Sequence, residues 1–255
     1  MTVPLNVWLD RDGRLLRLRL NRPKANIVDA EMIAALSAAL DKHLDDDGLL
    51  AVLLDAEGPH FSFGASIEEH LPAQCADMLR ALHGLILKMV ASPVPILVAI
   101  QGQCLGGGLE VALAGHLMFV ASDARLGQPE IKVGVFAPAA SCLLPERAPR
   151  VVAEAMLLSG ESIEGTDAVR HGIANAADDD PVGAALKWFD DNLAGLSAAT
   201  LRHAVQAARV GFVRHLSDKI AAVERLYLDE LMATRDAVEG LEAFIEKRPA
   251  KWEHS

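Results

Sequence analysis

Three consecutive glycines, Gly106, Gly107 and Gly108, stand between an apolar run that ends at Ile100 and a helix-like segment that contains Glu110. Glycines leave the first turn of a helix without side chains, so its unpaired N–H groups and the positive end of the helix dipole are open to a negatively charged oxygen. This arrangement is typical of an oxyanion hole. A phosphate loop and a purely steric approach of helix to strand are the other interpretations. The phosphate loop is disfavoured because the GK[ST] ending and the GxGxxG spacing are absent.

Two further segments carry groups that fit the same chemistry. Residues 61–67 form a small-residue turn after a predicted buried strand and can present the N–H of Ala65 to a ligand, although a simple turn has the same pattern. Glu130 follows a proline in apolar surroundings, where a helix cap or a surface charge is the ordinary interpretation.

Histidines and cysteines are the other candidate catalysts, and neither set forms a recognisable motif. The histidines are scattered along the chain and no GxSxG element is present, and both observations disfavour a histidine-based hydrolase. Cys104 lies next to the glycines, where a buried, unreactive thiol is favoured over a nucleophile. Without a CxxC pair or metal-ligand spacing, the three cysteines predict reduced thiols in a cytoplasmic protein and no metal site.

Composition excludes several classes of protein. Of the 255 residues, 51% are hydrophobic and 4% aromatic, which predicts a globular core of aliphatic side chains. The formal net charge of −11 would repel nucleic acid. No stretch reaches about 18 consecutive apolar residues and no signal-peptide pattern opens the chain, so a membrane protein and a secreted one are both disfavoured. Because the net charge is negative, a phosphate-bearing substrate must bind a local cluster of cations or N–H groups.

Alternating strands and amphipathic helices are predicted to position these groups. An Asp12-Gly13 turn between alternating residues predicts a hairpin over 8–21. The other predicted elements are helices over 29–44 and 74–90 and strands over 49–54, 96–100 and 117–121. This order indicates an α/β fold, because each apolar helix face must cover a sheet. Residues 150–247 are predicted to be almost wholly helical, as in a region that covers a face or joins subunits.

Separated motifs in this order resemble those of the crotonase, or enoyl-CoA hydratase/isomerase, superfamily. They are residues 21–25 (NRPKA), 63–67 (FGASI), 102–110 (GQCLGGGLE) and 127–130 (GQPE), with a similar C-terminal segment at 244–248 (FIEKR). The resemblance implies the ClpP/crotonase fold, a spiral of ββα units. It also implies a core with an acyl-CoA site over 1–195, and C-terminal helices over 196–255 that join subunits into a homotrimer or a dimer of trimers.

The resemblance also implies roles for individual residues. The N–H groups of Ala65 and Gly107 would bind the thioester oxygen of an acyl-CoA and stabilise the enolate. Glu110 and Glu130 occupy the positions that carry carboxylates in members that hydrate double bonds, with Glu110 provisionally activating water and Glu130 donating a proton. The residues expected to bind coenzyme A or the acyl group are Lys24, Ala25, Ala65, Ser66, Ile67, Gly106, Phe136, Pro138 and Lys247. No metal is implied, and no cofactor beyond the coenzyme A of the substrate.

Departures from the family pattern narrow the expected substrate. Ser66 and His116 replace aspartates that are usual at their positions, but neither residue donates the key N–H groups. Residues 134–141 (GVFAPAAS) replace a glycine-rich turn that shapes the acyl pocket, and their bulk and restricted backbone angles favour a different acyl group. With 103–110, this segment is similar to that of hydratases that convert cyclohexa-1,5-diene-1-carbonyl-CoA to 6-hydroxycyclohex-1-ene-1-carbonyl-CoA in anaerobic aromatic degradation.

Two other functions stay open at this point. One is another crotonase-type activity, such as a straight-chain enoyl-CoA hydratase or an enoyl-CoA isomerase. The other is a non-catalytic acyl-CoA-binding protein. The presence of both Glu110 and Glu130 argues against the binding protein, because binding alone does not need two carboxyl groups beside the thioester.

Overall fold

A six-stranded sheet forms the centre of the computed structural model, which describes residues 3–255. Its strands are β1 (Leu5–Asp10), β2 (Leu15–Leu20), β3 (Ala51–Ala56), β4 (Ile96–Ile100), β6 (Leu117–Val120) and β9 (Ala176–Ala177), in the order β1-β2-β3-β4-β6-β9. The β1–β2 pair is antiparallel and the other pairs are parallel. A second sheet, in the order β5-β7-β8, contains β5 (Gln103–Leu105), β7 (Arg125–Gly127) and β8 (Ser162–Glu164).

Helices cover both faces of the six-stranded sheet. They are α1 (Ala30–His43), α2 (Cys75–Val90), α3 (Gly107–Leu113), α4 (Pro138–Arg147), α5 (Arg150–Ser159), α6 (Gly165–Arg170), α7 (Pro181–Asn192), α8 (Ala198–Arg225) and α9 (Arg235–Ile245). On one face, Phe189 of α7 packs with Leu53 and Phe119. The buried sides of α1, α2, α3, α4 and α8 form the larger core on the other face. The predicted α/β class is therefore confirmed.

Local sequence explains most of these elements. The central strands β3 and β4 are almost entirely apolar, as strands covered on both faces must be. The predicted hairpin forms around Gly13, and the predicted first helix begins at its N-cap Asp29, whose carboxylate accepts a hydrogen bond from the N–H of Met32 at 3.0 Å. The strand predicted at 96–100 has those same bounds in the structure.

The alternation in β2 gives one misleading signal. Arg17 and Arg19 alternate with leucines, which is typical of one apolar and one solvated face, yet Arg17 is only 5% exposed. A fully buried carboxylate on the neighbouring strand, Asp55, explains the difference. Its oxygens lie 2.6 Å from Arg17 Nη2 and 2.6 Å from Arg19 Nε. Two guanidinium groups thus compensate the buried charge.

The C-terminal region is mostly helical, as predicted, but the prediction for 150–247 was wrong at β8 and β9. Both strands are short and form because β7 and β6 offer them partner edges, which no local periodicity reveals. The 28-residue α8 packs against α2 and α4. It leads into a π-helical turn, Leu226–Glu230, that buries Tyr227. Across residues 3–255, no helix has the length and apolar character needed to cross a membrane. The division at 195/196 stays a prediction.

The three cysteines are buried and carry free thiols, in keeping with the prediction of reduced cysteines. Burial raises the pKa of the Cys104 thiol well above its usual value. A thiol in this state forms little thiolate and is a poor nucleophile. Cys104 is therefore part of the core beside the site and does not act as its nucleophile.

Candidate active site

Two loops that are far apart in sequence are joined by backbone hydrogen bonds. Ser62 donates its N–H to the carbonyl of Gln103 at 3.0 Å, and Leu105 donates its N–H back to the carbonyl of Ser62 at 3.0 Å. The contact is so close that a Cβ on Gly108 would lie 2.5 Å from Ser62 Cβ. Glycine at this position therefore lets the first turn of α3 lie directly beside the turn at 62–65.

The N–H groups predicted to form an oxyanion hole lie side by side. A Cβ on Gly107 would be 3.1 Å from the backbone nitrogen of Ala65. Within residues 3–255, neither N–H donates a hydrogen bond to another group, whereas the N–H of Gly106 is occupied by the carbonyl of Gly127 at 3.0 Å. Two unpaired donors, one from the turn at 62–65 and one from the first residue of α3, can hold a developing negative oxygen. Gly106 itself offers no free donor.

Glu110 and Glu130 reach this place from α3 and from the turn Pro129–Val133. Glu110 is buried, and its Oε1 accepts a hydrogen bond from the N–H of Ala140 at 2.9 Å. Glu130 Oε1 would lie 2.6 Å from a Cβ on Gly106, so the missing side chain of Gly106 leaves the space that this carboxyl group fills. With its amide nitrogen turned toward Glu130, the buried Gln128 donates to both carboxylate oxygens at 3.1 Å.

The two carboxyl groups influence each other's protonation. Burial raises the pKa of Glu110, while the N–H groups of Ala140 and Ala139 and the nearby His83 oppose the rise. Burial, followed by repulsion from Glu110, raises the pKa of Glu130 to about 8. Both carboxyl groups thus have raised pKa values, and their mutual repulsion disfavours ionising both at once. One ionised and one protonated carboxyl group are the charge states that base and acid catalysis need.

The segment expected to shape the acyl pocket is attached to Glu110. Pro138 begins α4, two residues before the Ala140 N–H that binds Glu110. The half-buried ring of Phe136 meets the ring of Tyr227 edge-on, with 5.2 Å between centroids. Tyr227 is fully buried, and its hydroxyl has no hydrogen-bond partner within residues 3–255. The structure thus places Phe136 and Pro138 next to the glutamate pair.

The residues expected to hold coenzyme A occupy the outer side of the same loops. Ala25 accepts a hydrogen bond at its carbonyl from the N–H of Phe63 at 2.9 Å, which places the loop at 22–26 beside the oxyanion turn. Ser66 and Ile67 continue from that turn into the short helix Glu68–His70, against which α9 packs. The side chains of Lys24 and Lys247 are exposed. Their contact with coenzyme A stays a prediction.

Sequence reasoning missed four residues around the pair: Gln128, His83, Glu224 and Tyr227. Gln128 lies inside a motif that was noticed for Glu130 alone. His83 had a detectable signal, because it follows Leu79 by four residues on the buried face of an otherwise apolar helix. Glu224 and Tyr227 had none, because they approach the site only when α8 folds back onto α2.

Comparison with known proteins agrees with this geometry. The family model described as Enoyl-CoA hydratase/isomerase matches residues 10–255. The chain is 63% identical over 251 residues to the cyclohexa-1,5-dienecarbonyl-CoA hydratase of Thauera aromatica, covering 98% of this chain and 97% of that protein. It is 33% identical over 241 residues to a probable enoyl-CoA hydratase of Bacillus subtilis (strain 168), covering 91% and 92%.

Solved structures give the same result for the fold. The crystal structure of an enoyl-CoA hydratase from Mycobacterium avium subsp. paratuberculosis K-10 superimposes with a TM-score of 0.85 at 22% identity, covering 98% of both chains. The predicted crotonase fold is therefore confirmed. With the family match and the 63% identical relative, these findings show that the chain belongs to the enoyl-CoA hydratase/isomerase family.

Proposed function

We propose that this chain adds water to cyclohexa-1,5-diene-1-carbonyl-CoA and forms 6-hydroxycyclohex-1-ene-1-carbonyl-CoA. A hydration reaction is supported by the two glutamates, whose surroundings differ and which lie beside two unpaired N–H groups. The choice of acyl group is supported by the name of the 63% identical relative and by the Phe136 and Pro138 segment next to the pair.

The reaction starts when ionised Glu110 accepts a proton from water, whose oxygen attacks the ring carbon β to the thioester carbonyl. Electrons move onto the thioester oxygen, where the N–H groups of Ala65 and Gly107 stabilise the dienolate, each donor contributing about 3 kcal/mol. Protonated Glu130 then gives its proton to the far carbon of the conjugated system, which leaves one ring double bond. The proton on Glu110 passes to Glu130, and the pair returns to its starting state.

Catalysis in this scheme uses only protein groups and the coenzyme A of the substrate. The exposed Lys24 and Lys247 are proposed to contact its phosphates, which would let a chain with a net charge of −11 bind an anionic substrate. We expect turnover to survive dialysis against a chelator. Loss of turnover that a divalent metal restores would contradict this part of the proposal.

Subunit association through the region 196–255 and the neighbouring surface is also proposed, as a homotrimer or a dimer of trimers. Val210 of α8 is 61% exposed and Phe244 of α9 is 56% exposed, which supports a subunit contact in this region, since exposed large apolar side chains are common at interaction sites. Light scattering on the purified protein would give the subunit number. The three free thiols favour a reducing compartment, so a cytoplasmic location belongs to the same proposal.

The function is tested by offering the purified protein cyclohexa-1,5-diene-1-carbonyl-CoA and crotonyl-CoA separately and following water addition by mass spectrometry. We expect selective hydration of the dienoyl thioester. Hydration of crotonyl-CoA alone would indicate a straight-chain enoyl-CoA hydratase. Binding of both thioesters without conversion would indicate an acyl-CoA-binding protein.

Substitution of the two carboxyl groups tests the mechanism. Glu110→Gln and Glu130→Gln are each expected to lower kcat by about 100-fold or more with coenzyme A binding kept, because each removes one proton-transfer group. Glu164→Gln is the matched control, since this glutamate is exposed and pairs with Arg125 at 2.7 Å. Wild-type turnover in either site variant would remove that residue from the mechanism.

A further inference from the structure

Two arginines, Arg147 and Arg209, meet at the C-terminal end of α3. Arg147, the last residue of α4, donates from Nε to the carbonyl of Leu113 at 3.1 Å and from Nη2 to the carbonyl of Gly115. Arg209 on α8 donates from Nη2 to the same carbonyl of Gly115 at 2.8 Å and from Nη1 to that of Ala114 at 3.4 Å. Guanidinium groups from two different helices therefore hold the last carbonyls of one short helix. The hydration scheme above uses neither arginine.

The same short helix supplies two groups of the site. Its first residue, Gly107, carries one of the two unpaired N–H groups, and a later residue, Glu110, carries one of the two carboxyl groups. Helix α3 has seven residues, so only about 10 Å separates its two ends. Ala114 donates its N–H to the carbonyl of Glu110 at 3.3 Å, so one helical turn joins the end held by the arginines to Glu110. A tilt or shift of that end would therefore move both groups.

Both arginines also connect α3 to elements that other contacts hold in place. Arg147 belongs to the helix whose Ala140 N–H binds Glu110 Oε1 at 2.9 Å, so α4 holds α3 at a side chain and again at its C-terminal end. Arg209 also donates from Nη1 to the carbonyl of Val90, the last residue of α2, at 3.2 Å. The end of α3 is thus joined to α2, α4 and α8.

The two guanidinium groups stay charged although no carboxylate compensates them. Burial lowers the pKa of Arg147 to about 10, and burial followed by repulsion from Arg147 lowers the pKa of Arg209 to about 10. Within residues 3–255, no carboxylate opposes either decrease. Two buried cations side by side cost free energy, and their hydrogen bonds to the helix carbonyls offset that cost. The fixed fork of each guanidinium group determines where those carbonyls lie.

We propose that Arg147 and Arg209 are positioning residues that form a clamp on the C-terminal end of α3. By holding that end, they keep the Gly107 N–H and the Glu110 carboxyl group in place during hydration. The proposal rests on the hydration function above. Neither arginine touches substrate in this scheme, because both act through the helix. The clamp also connects α8 with the site, since Arg209 belongs to that helix.

The test is steady-state hydration by Arg209→Met at a temperature well below the Tm of the variant. Methionine fills part of the space but donates no hydrogen bond, so the end of α3 loses one of its two guanidinium groups. We expect kcat to fall by about 10-fold or more, because a small displacement of reacting groups is costly even when its cause lies outside the site. KM should change by less than about twofold, since the loops proposed to hold coenzyme A are not altered.

Two further variants provide the test if Arg209→Met does not fold. Arg209→Lys keeps the charge and a donor but not the fork, so it should retain more of kcat than Arg209→Met and less than the wild type. Arg147→Met removes the other guanidinium group, and its kcat should fall in the same way with KM kept. Wild-type kcat in Arg147→Met would overturn the shared role of the two arginines.

A matched control is Arg202→Met. Arg202 lies about two helical turns earlier on α8, and its Nη1 donates to the carbonyl of Leu44 at 2.9 Å, at the C-terminal end of α1. Helix α1 carries none of the site residues, so this variant removes an equivalent contact from another helix. Both variants should lower Tm, but only Arg209→Met should lower kcat. Wild-type kcat in Arg209→Met, or equal losses of kcat in the two variants, would overturn the proposal.

A second measurement does not depend on turnover. Cyclohexanecarbonyl-CoA has a saturated ring that cannot be hydrated, and hydrogen bonds to its thioester carbonyl lower the stretching frequency of that carbonyl in the infrared. We expect the bound carbonyl to absorb nearer to its free frequency in Arg209→Met than in the wild type or Arg202→Met, because the Gly107 N–H is displaced. Equal frequencies in all three proteins would refute the clamp even if no acyl-CoA were converted. Failure of the proposed hydration would appear separately, in the wild-type substrate test.

Discussion

Replacing Gly106 with alanine tests whether the space left by this glycine positions the Glu130 carboxyl group. The new Cβ would lie 2.6 Å from Glu130 Oε1, against the 3.4 Å or more of an ordinary contact. The neighbouring backbone cannot yield easily, because the N–H of Gly106 is bonded to the carbonyl of Gly127 and Gly107 lies against Ala65. The carboxyl group should therefore be the part that moves.

The expected size follows from this displacement. Relief of the overlap requires a movement of about 1 Å, and a displacement of that size in a reacting group lowers turnover by about 100-fold, or about 2.7 kcal/mol of barrier. Gly106 also has a φ of +50° and a ψ of −131°, a combination that glycine adopts far more readily than other residues, so alanine adds roughly 1–3 kcal/mol of backbone strain to the folded state. The loss should appear in kcat, with little change in KM, because the exposed loops that are proposed to hold coenzyme A are not altered.

The assay is steady-state hydration by Gly106→Ala beside Gly13→Ala. Gly13 has a φ of +83° and no atom within 4 Å of its Cβ position, so its alanine variant carries the strain of a positive φ without a steric contact and lies outside the site. Gly13→Ala should lose stability but keep wild-type kcat. Wild-type kcat in Gly106→Ala, or a loss confined to KM, would refute the reasoning about Glu130.

Three other predictions rest on particular contacts. The pKa of Glu130 is raised to about 8, so the acid form that donates a proton is present below that pH and lost above it. The value of kcat should therefore fall on the alkaline side of about 8, and this alkaline limb should vanish in Glu130→Gln. Phe136→Ala removes the ring that packs against Tyr227, and we expect the ratio of kcat/KM for dienoyl to crotonyl thioesters to fall by about 10-fold or more. Asp55→Asn leaves the buried Arg17 with only the more distant Asp10, at 3.4 Å, and should lower the free energy of unfolding by about 3 kcal/mol in denaturant titrations, whereas unchanged stability would show that the pair is dispensable.

The parts of the site that could be predicted from sequence are those built from local backbone geometry. The glycines at 106–108 indicate a close approach of helix and loop through residue type alone, whereas their role as an oxyanion hole, and that of the turn at 61–67, came only from the resemblance to a family. The resemblance to a family then paired Glu110 with Glu130, although they come from different elements. In the structure, burial and then repulsion from Glu110 raise the pKa of Glu130, while the catalytic roles of the two residues stay predictions.

What sequence could not predict depends on contacts between distant segments. His83 and Glu224 are 141 positions apart, and nothing in either local pattern indicates the other. The burial of Arg17 depends in the same way on Asp55, which lies 38 positions away on the next strand. Strands β8 and β9 consist of three and two residues, too few for a period to be visible, and exist only because a neighbouring strand has a free edge.

These long-range contacts also give the C-terminal region a role inside the site. The turn that carries Glu130 is held by α9, where a Cβ on Gly240 would lie 2.3 Å from the carbonyl oxygen of Val133 and a Cβ on Gly134 would lie 2.8 Å from that of Asp236. The segment after residue 195 also supplies Glu224 and Tyr227. A core limited to residues 1–195 would therefore retain both glutamates but lack the helix that packs against the turn carrying Glu130 and the ring of Tyr227 that packs against Phe136. We therefore predict that truncation after residue 195 lowers turnover even in a chain that still folds, because the turn that carries Glu130 loses its contact with α9.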